Sequence, residues 1–256
     1  MKTNKFEKAG ELMWLFGLVF VALGVAICSK ANLGVSMIAA PTFVIHEAIE
    51  NLSSFFSLGV TEYLFQGITL ILLCIIVQRF NWRYLLAFAV AVLYGYLLDL
   101  WVLILGSDPF EGVALRWVML IIGDTCTAFG VACFFRTYMP LEAPELVVSE
   151  ISDRYKWKIN KVKWVVDIIY LVTSITLALA IFRDVEKFDW TTIWYSNFHS
   201  MGLGTIVTTI INAPIIAIWG KLLDKLFDYK PVFPKMYKVL GREKGENNKE
   251  IVDSVE

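Results

Sequence analysis

Six apolar runs, each about as long as a bilayer's hydrocarbon layer is thick, constrain this chain more than anything else in it. They are Glu11–Ser29, Thr61–Val77, Tyr84–Leu105, Val113–Phe135, Val162–Phe182 and Leu203–Leu223. A helix needs about 20 apolar residues to cross the hydrocarbon. Lipid offers no water to backbone N–H and C=O groups, so runs of this length must fold as helices. They are apolar on all sides, unlike the one-sided stripe of a soluble helix. Composition agrees: 57% of the 256 residues are hydrophobic, against about 45–50% in soluble domains. The net charge of −1 gives no basic excess that would suggest nucleic acid. The charged lead before the first run has no small-residue cleavage pattern after it, so that run reads as an anchor.

Two more apolar segments, Val35–Ile45 and Leu141–Val148, are too short to cross. Pro41 lies in the first and Pro144 in the second, with Pro140 just before it. They are expected to be re-entrant or interfacial half-helices.

Charge placement sets the orientation. With six crossings and the N-terminus inside, only Lys30, Arg116, Arg183 and Lys187 of the 23 Lys and Arg fall outside. That follows the positive-inside rule. The expected location is the bacterial inner membrane, multi-pass, with both termini cytoplasmic. Trp14, Trp82 and Trp219 sit at run ends and suit interfacial belts. The tail 236–256, rich in Lys, Glu and Asn, reads as disordered.

The two halves resemble each other. Ala22-Leu-Gly-Val-Ala26 aligns with Ala128-Phe-Gly-Val-Ala132, and Ala40-Pro-Thr-Phe-Val-Ile-His-Glu47 with Ala143-Pro-Glu-Leu-Val-Val-Ser-Glu150. Tyr63-Leu-Phe-Gln66 aligns with Trp164-Val-Val-Asp167, and Gly95-Tyr-Leu-Leu-Asp99 with Gly220-Lys-Leu-Leu-Asp224. Three spans per copy is an odd number, so the second copy must be upside down. The expected fold is all-α: six transmembrane helices as two inverted three-helix repeats, each with a short proline-marked helix. The organisation is a first repeat over 1–106, a second over 107–230 and a cytoplasmic tail over 231–256. Inverted repeats are typical of secondary transporters, whose sites lie near the midplane where broken helices meet.

Three elements carry a family resemblance. They are Gly24-Val-Ala-Ile-Cys-Ser-Lys-Ala-Asn-Leu-Gly34, the Pro41 segment, and Gly202, Leu203, Gly204 and Thr205. Over about residues 10–225 the chain resembles the YczE/YitT-type bacterial membrane proteins. The resemblance implies a multispanning inner-membrane protein with a transport role and no settled substrate.

Ionisable groups inside a bilayer cost about 2.5–3.5 kcal/mol at a helix centre on insertion scales, so each needs a reason. Asp124 is mid-span in the fourth run and Asp167 a third of the way into the fifth. Each could handle a cation or proton, or simply hold neighbouring helices together. Gln66 is the repeat mate of Asp167. Thr205, Thr208 and Asn212 form one stripe at helical spacing, and Pro214 frees a carbonyl beside it. Glu47 and Glu150 are repeat mates expected near the C-terminal ends of their short helices, where the helix dipole does not favour them. These eight residues are the candidates for binding a substrate or ion. Glu62 and Asp99 lie near span ends and are expected to be solvated, and His46 is read as an interfacial residue, with titration near neutral pH the alternative.

Other chemistries lack their signatures. There is no P-loop, no His-Glu-x-x-His and no Gly-x-Ser-x-Gly. Cys28, Cys74, Cys126 and Cys133 sit in apolar runs without a Cys-x-x-Cys, and there are only two histidines, so no metal or other cofactor is expected. No catalytic function is expected. The leading reading is a membrane transporter of a small solute, with ion coupling one form it could take. Its expected partners are the lipid bilayer and a small-molecule or ion substrate, with self-association left open. The alternatives are a substrate-capture subunit working with a separate ATPase, or a membrane partner or assembly protein that transports nothing.

Overall fold

The computed structural model describes residues 10–50, 55–106, 108–182, 194, 197–227, 229 and 233, apart from the side chains at 159 and 160. The charged lead, Arg183, Lys187 and the tail 236–256 lie outside the described residues. The described residues form eight helices: α1 (Gly10–Ala31), α2 (Ala40–Ile49), α3 (Leu58–Val77), α4 (Arg83–Leu105), α5 (Val113–Phe134), α6 (Ala143–Tyr155), α7 (Ile159–Phe182) and α8 (Leu203–Leu226).

Local chemistry sets their ends. Proline is tolerated in the first helical turn, where its missing N–H would be unpaired anyway. Accordingly Pro41 and Pro144 lie in the first turns of α2 and α6. The first short helix therefore begins later than the apolar segment from Val35. Asn32 and Gly34, with φ of 55° and 107°, turn the chain between α1 and α2. The second runs on to Tyr155, well past Val148, and ends where Lys156 turns left-handed at φ 58°. Its polar continuation is held within the protein, for buried Ser152 Oγ donates to Trp157 O at 2.7 Å. α3 starts at Ser57, whose Oγ accepts from Val60 N at 3.2 Å.

Six of the helices have apolar stretches of 20 to 24 residues, long enough to cross a membrane. At 1.5 Å per residue they extend about 30–36 Å, and the hydrocarbon is about 30 Å thick. They carry an apolar outer surface that water would not tolerate, including Ile71, Ile75, Leu103, Ile169 and Ile210. These are the features of a multi-pass membrane protein. α2 and α6 have 10 and 13 residues, too few to cross.

α1 and α5 form the centre of the bundle. Small residues let their backbones meet. A Cβ on Gly24 would lie 2.5 Å from Gly123 O, and one on Gly130 would lie 2.8 Å from Gly17 O. Residue numbers rise along one helix as they fall along the other, so α1 and α5 run antiparallel. Thr137 Oγ1, beyond α5, continues the register by donating to Gly10 O at 2.9 Å.

The remaining packing has a pattern. α1 packs on α4, and α5 on α8; α2 packs on α3, and α6 on α7; α2 packs on α7, and α6 on α3. Exchanging the first four helices for the last four maps each of these contacts onto its partner, but α3 also packs on α4, and α4 on α6, without a matching α7–α8 or α8–α2 contact of that size among the described residues. The two short helices thus bridge the same pair of spans, α3 and α7.

Candidate functional site

A cavity of about 290 Å³ lies where the starts of α2 and α6 meet α1, α3, α4, α5, α7 and α8. Its ionisable and amide lining is Glu62 and Gln66 from α3, Glu142 and Glu145 at the start of α6, and Lys163 and Asp167 from α7. Val25, Tyr94 and Val131 give it an apolar wall. Asn212 and Thr208 of α8 complete the polar side.

Helical spacing builds the central pairs. Gln66 Nε2 donates to Glu62 Oε1 at 3.2 Å, one turn earlier on α3. Lys163 Nζ donates to Asp167 at 3.2 and 3.3 Å, one turn later on α7. Both are i,i+4 pairs on one helix face. The repeat alignment that matches Gln66 to Asp167 also matches Glu62 to Lys163. Equivalent places in the two halves therefore carry an acid with an amide, and an ammonium with an acid.

Some polar atoms here are left over. Glu62 Oε2, Gln66 Oε1, Glu142 Oε1 and Glu145 Oε2 are inaccessible to solvent and have no hydrogen-bond partner among the described residues. Burial, then the nearby Glu145 and Glu62, holds the Glu142 carboxyl well above the ordinary 4.5. Burial also raises that of Glu145, against the pull of Lys163.

Five of the eight sequence candidates gather here. Gln66, Asp167, Thr208 and Asn212 line the cavity, and Asp124 stands behind it, with Oδ1 accepting from Asn212 Nδ2 at 2.8 Å. Asp124 Oδ2 is a further buried atom without a partner. The other three lie elsewhere. Thr205 is buried at the start of α8, where its Oγ1 accepts from Gly202 N at 3.3 Å. Glu47 pairs with His199 Nδ1 at 2.8 Å, and that ring stacks on Phe182 at 3.6 Å. Glu150 accepts from Tyr84 OH at 3.2 Å. It sits mid-helix rather than near a C-terminus, because α6 extends past Val148.

One expectation of solvation is overturned, that of Glu62, and Asp99 is half-buried. Glu62 is only 4% exposed, because α3 starts at Leu58 and the neighbouring helices enclose its first turns. Asp99 is tied to the start of α3: Oδ2 accepts from Ser57 Oγ at 2.5 Å and Oδ1 from Gly59 N at 2.7 Å. His46 is also partly enclosed, 3.8 Å from Glu50, with Nδ1 buried. The cysteines form no disulfide, and Cys28 and Cys133 are buried as small apolar residues would be.

Glu142, Glu145 and Lys163 escaped the sequence reading. Lys163 counted only toward loop charge. Glu142 and Glu145 flank a proline in a segment taken as apolar. The signal that finds Lys163 is the repeat itself, extended one residue before Trp164.

A family of unknown function, DUF6198, matches residues 9–221. The chain belongs to this family. The matched region holds all eight DUF6198 helices but for the last residues of α8, and every polar cavity residue. No curated protein and no solved structure matches the chain. The cavity must therefore be understood from its own chemistry.

Proposed function

We propose that this protein carries a small solute across the bacterial inner membrane, using the central cavity as its site. The reading rests most on one observation: a partly open, largely apolar cavity between the two halves of the bundle that carries a cluster of acidic and amide side chains beside two proline-started half-helices. Buried polar lining in an otherwise apolar bundle is costly, and in membrane proteins it marks substrate and ion paths. The antiparallel α1–α5 crossing and the exchangeable contacts support two inverted repeats, the arrangement that lets one half rock against the other around a fixed site. The YczE/YitT-type kinship and the cytoplasmic termini, inferred from loop charge, belong to the same reading. Asp124, Asp167 or the cavity glutamates would couple an ion.

The experiment is uptake and exchange by the full-length protein in proteoliposomes, with amine, amino-acid, sugar and carboxylate solutes. The expected result is saturable flux of one class, cut at least about tenfold by Gln66→Leu or Asn212→Leu, each removing hydrogen bonds from the site. Absence of flux for every class would overturn the proposal.

A further inference from the structure

We propose that the cavity binds a small organic cation, an ammonium or guanidinium group on an apolar body, with Glu62, Glu142 and Glu145 as counter-charges and Gln66 Oε1 as an added acceptor. This rests on the cavity being the solute site and names the class of solute.

Gln66 Oε1, Glu142 Oε1 and Glu145 Oε2 are leftover acceptors at the cavity. Glu62 Oε2 is a fourth, with the hydroxyl of buried Thr42 placed to donate to it. The Gln66 amide N–H is already given to Glu62. Gln66 and Glu142 are 2% and 3% exposed, so water reaches neither readily. A buried polar group without a partner is unfavourable by about 1–3 kcal/mol. A ligand rich in N–H donors relieves several at once, and charge-assisted bonds to carboxylates are the strongest available.

Burial and mutual proximity favour protons on Glu142 and Glu145 in the empty cavity, and a cation that displaces those protons gains the carboxylates as counter-charges. Lys163 is held by Asp167, so that pair is internally neutralised. Of the three glutamates only Glu145 feels that ammonium, and none of them forms an ion pair among the described residues. An anion would need the start of α2, the positive end of a helix dipole. Its amides are spent: Ala40 N bonds Ser36 O, Thr42 N and Phe43 N bond Ala39 O, and Pro41 has no N–H.

Size and lining separate an organic cation from a metal ion. Among the described residues no group of three or more His, Cys, Asp or Glu is placed to hold a metal ion. The 290 Å³ volume far exceeds a bare ion and suits a small molecule. Val21, Val25, Val131 and the Tyr94 ring would face its apolar part.

The test is calorimetric titration of the purified full-length protein in detergent with benzylammonium and butylguanidinium chlorides, and with benzyl alcohol as the neutral shape-mate. Benzylammonium should bind at least about tenfold more tightly than benzyl alcohol, as a charge-assisted bond implies. Glu62→Gln and Glu142→Gln should each erase most of that preference while eluting as folded protein. Equal binding of the alcohol, or no binding of either cation, overturns the inference without any variant. Wild-type cation preference in both variants also overturns it. Binding of benzylammonium without its uptake into proteoliposomes would sustain this inference and count against transport. Saturable flux of a neutral or anionic solute, unaffected by Glu62→Gln, would do the reverse.

Discussion

Gly24 of α1 and Gly123 of α5 face each other so closely that a Cβ on either would lie within 3 Å of the other's carbonyl oxygen, at 2.5 and 2.8 Å. Seven residues away on each helix, Gly17 and Gly130 make the corresponding approach. The repeat alignment that pairs Ala22 with Ala128 also pairs Gly17 with Gly123 and Gly24 with Gly130. Under the proposed inverted repeat the two contacts are each other's images. This crossing sets the distance between the halves and so the width of the cavity.

Gly24→Ala should therefore destabilise the protein. Its Cβ would meet Thr127 Oγ1 and Thr127 N as well as Gly123 O, all under 3.0 Å. Backbone atoms cannot swing away, and overpacking of this kind costs about 1–3 kcal/mol. The check is thermal unfolding in detergent. Gly112→Ala also introduces strain, at φ 83°, but its Cβ meets nothing within 4 Å. It should leave the helix spacing unchanged, as read by a disulfide or spin-label distance between α1 and α5.

Arg136 and Asp224 tie the end of α5 to the end of α8 through two parallel bonds, Nε to Oδ1 and Nη2 to Oδ2, both 2.7 Å. Tyr229 OH adds a bond to Asp224 Oδ1 at 3.0 Å. The pair is only partly enclosed, so removing one partner should cost about 1–3 kcal/mol, short of a fully buried pair. Arg136→Lys should not recover it, because an ammonium lacks the planar fork. A double-mutant cycle with Asp224→Asn, followed by thermal unfolding, measures the coupling.

Asp99 should resist substitution although it stands near a span end. It holds both the Ser57 hydroxyl and the Gly59 amide at the start of the preceding helix, α3. Asp99→Ala leaves those donors unpaired beside the tight Gly59–Gly95 approach, with an expected loss of about 1–3 kcal/mol. Asp99→Asn, which keeps one acceptor, should lose less. Comparative melting of the two variants checks the order.

Stability should also depend on pH through Glu142. Its folded-state pKa is raised above 4.5, so the folded protein holds a proton that the unfolded chain releases. That contribution is complete below about 4.5 and is lost as pH rises through the folded value, at about 1.4 kcal/mol per pH unit in between. Glu142→Gln mimics the protonated side chain. The variant should match wild type in acid and become the more stable of the two as pH rises. Melting curves across pH, without any added solute, read this difference.

The spans and their loops were legible because apolar length and proline position act locally. Pro41 and Pro144 mark short helices in the sequence itself, and the six long windows fell within about three residues of the spans, whereas the two short windows missed the ends of α2 and α6 by more. Asp124, Asp167 and Gln66 were legible too, because a polar group in an apolar run has few roles. Glu62, Glu142 and Glu145 were not. Each sits at the edge of an apolar run, and a single sequence cannot show that neighbouring helices will enclose that edge. Glu47 shows the converse. Its place beside Pro41 mirrors Glu150, yet its partner is His199, far away in sequence and stacked on Phe182.

The most direct test of a site open alternately to the two faces is labelling of Thr209→Cys from each side of the membrane. Thr209 lines the cavity from α8. The four native cysteines would first be replaced by alanine or serine, and the protein sealed in oriented proteoliposomes. A membrane-impermeant maleimide should then label the cysteine from either face, and less when benzylammonium is present. Labelling from one face only under every condition, or from neither, would contradict the account.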